Sequence, residues 1–346
     1  MTALAFPSSR PTAPLLALAC IALLAGCDGA PKVDSAPPEE VIGAAAPRPR
    51  PSDIRQAALR RDRAASAREA RLAAQTAADT PASRQMRAYL QGVEKSLIGR
   101  GLMRTDGGTE IAMTPERLAD DFVLVALHDE YTRQNGELIA NSIPAPLRRW
   151  VNPVRMRIEF GASVAPAQRS RDRADIAAYA ARLQAATGHP VSLGAGDGNF
   201  TILILSEDER HDMAERLAAL VPGIPPSDVN ALVHLSPQNY CTVFAYSRGS
   251  ASTYAHAVAL IRSETPQRLR LSCVHEELAQ GMGLANDSRL VRPSIFNDDE
   301  EFASLTPHDE LLLKILYDPR LHPGMTEAES RPIVLQIARE LLAAQS

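Results

Sequence analysis

The chain has 346 residues, enough for one large domain or two small ones, and 45% of them are hydrophobic, which is ample for a core. A formal net charge of −4 excludes a general nucleic-acid binder, whose phosphate-tracking surface needs an excess of Lys and Arg.

At the N-terminus, Arg10 precedes the apolar run Leu15 to Ala25. That run is too short to span a bilayer. A positive segment, a short apolar segment and small residues before a cut mark a secretory signal. Read without its end, the run would serve as an ordinary export signal or a buried helix. It ends, however, Leu24-Ala25-Gly26-Cys27, which resembles a bacterial lipobox. The resemblance implies that Cys27 takes the lipid, and several acyl chains on one cysteine exceed what stable anchoring needs. Residues 1–26 are therefore expected to be a lipoprotein signal peptide, with membrane lipid as a partner through Cys27. Asp28 favours the inner membrane within a periplasm-facing, cell-envelope location. In that oxidising compartment, Cys241 and Cys273 are expected to form a structural disulfide.

Residues 27–82 read as a tether. The stretch up to about Ser52 is rich in Pro, Ala and charge and cannot bury enough apolar surface to fold. Residues 53–79 have strong helix propensity but no apolar stripe, and read as a solvated helical spacer. An alternative use of their Arg-rich surface is contact with anionic lipid headgroups.

A globular domain is expected over 83–346. Its first helix runs from Ser83 to Gly99, and a second is capped by Thr114-Pro115-Glu116 and carries on through His128, Asp129 and Glu130. Val154 to Phe160 alternates as a strand, and Arg171 to Ala186 is helical up to Gly188. Val191-Ser192-Leu193 and Phe200 to Leu205 flank a Gly-rich run and are expected to pair as a hairpin. One amphipathic helix covers Glu207 to Leu220. Strands Thr242 to Tyr246 and Ala255 to Ile261 follow, and a helix starts near Pro266. The order gives an α+β fold, a single domain over a mixed sheet with a central motif-bearing helix. Ser247 lacks the surrounding glycines of a nucleophile elbow, so a serine hydrolase is unsupported.

The central motif runs from Cys273 to Ser288. His275-Glu276 begins like the H-E-x-x-H zinc helix, but position 279 is Ala. Shifted by one, Glu276-Glu277-x-x-Gln280-x-x-Gly283-x-x-Asn286-Asp287 resembles the metzincin peptidase signature H-E-x-x-H-x-x-G-x-x-H. The resemblance puts Glu276, Gln280 and Asn286 at the three zinc-ligand positions and Glu277 at the general base. It also implies a zincin-like fold, extended by Ile295-Phe296 at the Met-turn and by the helix cap Leu305-Thr306 with Asp309.

One carboxylate and two amides are poor ligands for zinc. The expectation is accordingly no cofactor. A hard cation held with the help of Asp287, or zinc completed from elsewhere, is the alternative. His275, about 100° round the helix, is expected to pack or lie on the surface.

Glu276-Glu277-Leu278-Ala279-Gln280, Ser294 to Asp298, and Leu316 to Met325 resemble a bacterial family described as lipoproteins with domain of unknown function 2927, over about residues 110–325. Together these readings describe a membrane-anchored periplasmic lipoprotein. Its metallopeptidase-like domain would be non-catalytic and bind an extended polypeptide or envelope component. The alternative is a metal-dependent hydrolase with Glu277 as general base.

Overall fold

The computed structural model describes residues 51–134 and 137–344. The signal segment, the lipobox at Cys27 and the Pro-rich part of the tether lie outside the described residues. Among those described, no helix is long and apolar enough to cross a membrane.

Residues 55–346 form one compact unit. Helix α1 (Pro51–Ala78) runs through the spacer, and its side chains from Arg55 to Ala73 are exposed, as expected of a helix without an apolar stripe. Helix α2 (Pro81–Gly99) starts two residues before the expected Ser83, because the Thr80 side chain accepts from the Ser83 backbone N–H and Pro81 fits the first turn. Its residues Met86, Leu90 and Leu97 are buried in a small cluster with Leu269.

Helix α3 (Pro115–Ala126) is capped by Thr114. It does not continue through His128 as expected. Residues His128–Gln134 form strand β1, which pairs antiparallel with β2 (Glu137–Pro144). The sequence between them is Asn135-Gly136, a strong short-range hairpin signal.

The main sheet has five strands in the order β4 (Val191–Leu193), β3 (Val154–Phe160), β5 (Phe200–Leu205), β7 (Tyr254–Arg262), β6 (Cys241–Ser247). The first four run parallel and β6 is an antiparallel edge. The expected pairing of β4 with β5 is therefore overturned: β3 lies between them, with Met156 opposite both Leu193 and Phe200. The Gly-rich segment carries the chain across β3 instead of turning it back. A Cβ on Gly198 would stand 2.5 Å from the Arg155 carbonyl oxygen, so a residue without a side chain is needed there.

Every residue of β5 is buried, because both faces of the sheet are covered. Phe200, Ile202 and Ile204 join the main core, formed with α3, α4 (Pro166–Thr187), α8 (Gln267–Gln280) and α9 (Pro307–Leu316). Leu203 and Leu205 face a second core with α6 (Ala214–Leu220) and α7 (Pro226–Val233). The single helix expected over 207–220 is split into α5 (Glu207–His211) and α6, and α7 was not foreseen. Helix α10 (Glu327–Ala343) closes the domain against α3 and α9. The result is a mixed α+β domain.

Candidate functional site

Helix α8 carries the central motif and is fixed at both ends. At its start, the Glu94 carboxylate from α2 accepts the Leu269 backbone N–H at 2.8 Å, satisfying a donor that the helix leaves open. At its end, Trp150 Nε1 donates to the Gly281 carbonyl at 2.8 Å, and the Tyr317 hydroxyl donates to the Met282 carbonyl at 2.9 Å. The chain then turns at Gly283, whose φ of +126° and 2.4 Å approach of a Cβ to the Arg148 carbonyl oxygen admit only glycine.

His275 is a packing residue, one of the two roles open to it. Its ring stacks on Tyr179 with centroids 4.0 Å apart, and its Nδ1 accepts the Leu305 backbone N–H. Burial, aided by Arg182, pushes its pKa down to about 3, so the ring is neutral.

The expected disulfide is present. Cys241 at the start of β6 is bonded to Cys273 on α8, with Cα atoms 5.8 Å apart. It ties the edge strand to the motif helix, and a cleft of about 170 Å³ lies between them. Glu276, Glu277 and Gln280 of α8 line one side, and Cys241, Thr242 and Val243 of β6 another. Asp287, Glu300 and, from β1, Glu130 and Tyr131 complete it with the loop before β6.

Glu276 and Gln280 thus do face one space, as helical spacing suggested, and Asp287 joins them. Asn286 does not. Its side-chain amide donates to the Leu124 carbonyl at 2.8 Å and its backbone N–H to Val125, so it anchors the turn to α3. The three positions that the zinc signature would align therefore do not converge. Gln280 is engaged too, donating to Asp287 Oδ1 at 2.9 Å. Among the described residues, no three His, Cys, Asp or Glu side chains are placed to hold a metal ion. Zinc does not fit this donor set.

Sequence reasoning missed Glu130, Tyr131 and Glu300. The helix expected through Glu130 hides the strand that brings Glu130 and Tyr131 here, although Asn135-Gly136 is a hairpin signal in the sequence. Glu300 follows a loop with no periodic signal and sits at a positive φ of 57°.

The electrostatics of the cleft are one-sided. Glu276, Glu277 and Asp287 have pKa values raised well above the usual carboxylate range, first by burial and then by one another, Glu130 and Glu300. Glu130 is pushed up to about 7, by burial and then by Asp298. Glu277 is only 5% exposed, and its Oε2 has no hydrogen-bond partner. Burial and the neighbouring carboxylates disfavour ionisation of Glu277, which makes it a poor general base until positive charge enters the cleft.

The cleft continues along β6. A second space of about 140 Å³ is lined by Val243 to Ala245, Glu130, Tyr131 and Arg148. A third, broader one of about 800 Å³ is lined by Ala245 to Gly249, Arg148 and Tyr254. Shared lining residues join the three into a single groove with β6 on one side and, over its first part, β1 on the other.

A model of the family described as protein of unknown function (DUF2927) matches residues 115–336. The chain is a member of the DUF2927 family. The match starts at the first residue of α3 and ends within α10, so it takes in the whole sheet, the motif helix and the groove of this DUF2927 protein. No curated protein and no solved structure matches the chain.

Proposed function

We propose that this DUF2927 protein is a membrane-anchored periplasmic lipoprotein whose non-catalytic, metallopeptidase-like domain holds an extended polypeptide along β6. The groove beside this edge strand carries the reading. Among the described residues, strand β6 pairs only with β7, and the backbone of Thr242–Ala245 makes no hydrogen bond outside that pairing. An open edge is a template for an added strand, and main-chain hydrogen bonds give such complexes their affinity. Seven residues of β6 offer roughly 23 Å of edge at about 3.3 Å per residue.

The metzincin-like aspect is supported by the order of parts: a buried helix bearing Glu276 and Glu277, a glycine turn, and a helix capped by Thr306 and Asp309. The donor set argues against zinc hydrolysis, and burial among other carboxylates disfavours ionisation of Glu277. Membrane lipid bound through Cys27 and an inner-membrane, periplasm-facing address complete the proposal, which assigns no nucleic-acid partner.

Amide hydrogen exchange of the full-length protein in detergent, with and without casein as an unfolded polypeptide, tests the groove. Slower exchange in Cys241–Ser247 with intact casein is the expected result. Unchanged exchange there rules the groove out. Casein cleavage that disappears in Glu277→Gln would establish the hydrolase alternative instead.

A further inference from the structure

We infer that the acidic cleft at the start of the groove receives a basic side chain, Lys or Arg, of the extended polypeptide lying along β6. The inference rests on the groove reading above and adds the class of sequence that the groove selects. Five carboxylates (Glu130, Glu276, Glu277, Asp287 and Glu300) face a space of about 170 Å³, and no Lys, Arg or His is among the residues lining it. The nearest cation along the groove, Arg148, is already paired with Asp129.

The second observation is Glu277 itself. It lies in this wall, is 5% exposed, and leaves Oε2 without a donor. Buried acceptors are normally satisfied, so an orphan in a native site needs an explanation. Gln280 cannot supply the missing donor while its amide is held by Asp287. A guanidinium brings five N–H donors and an ammonium three, and either brings the positive charge that five clustered carboxylates lack. A water molecule would satisfy the oxygen but leave the repulsion. A divalent cation needs several converging ligands, which the described residues do not assemble.

Position matters as well. Cys241, Thr242 and Val243 of β6 line the cleft, and side chains alternate in direction along a strand, so one side chain of a strand laid on β6 enters it while the next points away. The preference should therefore fall on a single position of the bound peptide.

The experiment is selection from a random nonapeptide phage library on full-length protein held in detergent, with Glu277→Gln in parallel. Peptides recovered on the wild-type protein should carry Lys or Arg at one fixed position about tenfold above the library frequency, as one charge-assisted contact in a desolvated site gives. The variant should still recover peptides, with that enrichment reduced. Recovery of peptides with no basic preference on the wild-type protein overturns this inference and leaves the groove reading standing. No recovery above a protein-free surface overturns both. The wild-type selection decides the matter even if the variant folds poorly.

Discussion

Glu277 lies one turn from the end of α8 with an unpartnered oxygen, among carboxylates from four other positions. Ionising it there costs desolvation and repulsion together. Its folded-state pKa is raised, so the stability it contributes is fully present below the unfolded value of about 4.3 and is lost as pH rises through the folded value. Glutamine keeps the shape and removes the charge. Glu277→Gln should therefore raise the melting temperature at pH 8, by an amount equivalent to about 1–3 kcal/mol, with the gap closing towards pH 4. Thermal unfolding of both proteins between pH 4 and 9 gives the answer. A variant that melts lower at pH 8 would mean that this carboxylate has a cation already in place. Glu130, at about 7, adds a milder loss of stability between about pH 4.5 and 7. The charged residues of the motif were legible as a set in the sequence because helical spacing places them. The departure of Asn286 was not, since the Leu124 carbonyl that holds it is 162 positions away.

The disulfide acts at the scale of elements. It closes a loop with a sequence separation of 32 and joins β6 to α8, the two walls of the acidic cleft. A loop of that length corresponds to about 3–4 kcal/mol in the chain-entropy model. Replacing Cys241 and Cys273 together by Ser should lower unfolding stability by about that amount in denaturant titrations, and the wild-type protein should fall to the same level under reductant. Equal stability with and without reductant would show that the cross-link is idle. The sequence supports the pairing because Cys241 and Cys273 are the two cysteines after Cys27 and have one bridge to make. Other elements resist such reading. The β1–β2 hairpin was hidden by the helical look of residues 128–130, and β4 and β5 look like a hairpin until β3 is placed between them. Strand neighbours are decided by which edges meet, and local periodicity carries no record of that.

For the whole molecule, the proposed function joins an address to a groove: Cys27 and the exposed helix α1 both precede the DUF2927 domain in the chain. Changing Cys27 to Ser should remove lipid labelling and move the protein from the membrane to the soluble fraction, or leave it as uncleaved precursor. Identical soluble fractionation of wild type and variant defeats the anchor. The sequence by itself determined what short-range chemistry writes: the capped helices at Thr114 and Thr306, the motif helix, the strands β6 and β7, and the family, through motifs whose residues are close in the chain. Only the tertiary structure decided the sheet order, the open edge at β6, and the gathering of Glu130 and Glu300 beside Glu277. Those depend on contacts between residues far apart in sequence, where burial and backbone pairing choose the partner and local propensity does not.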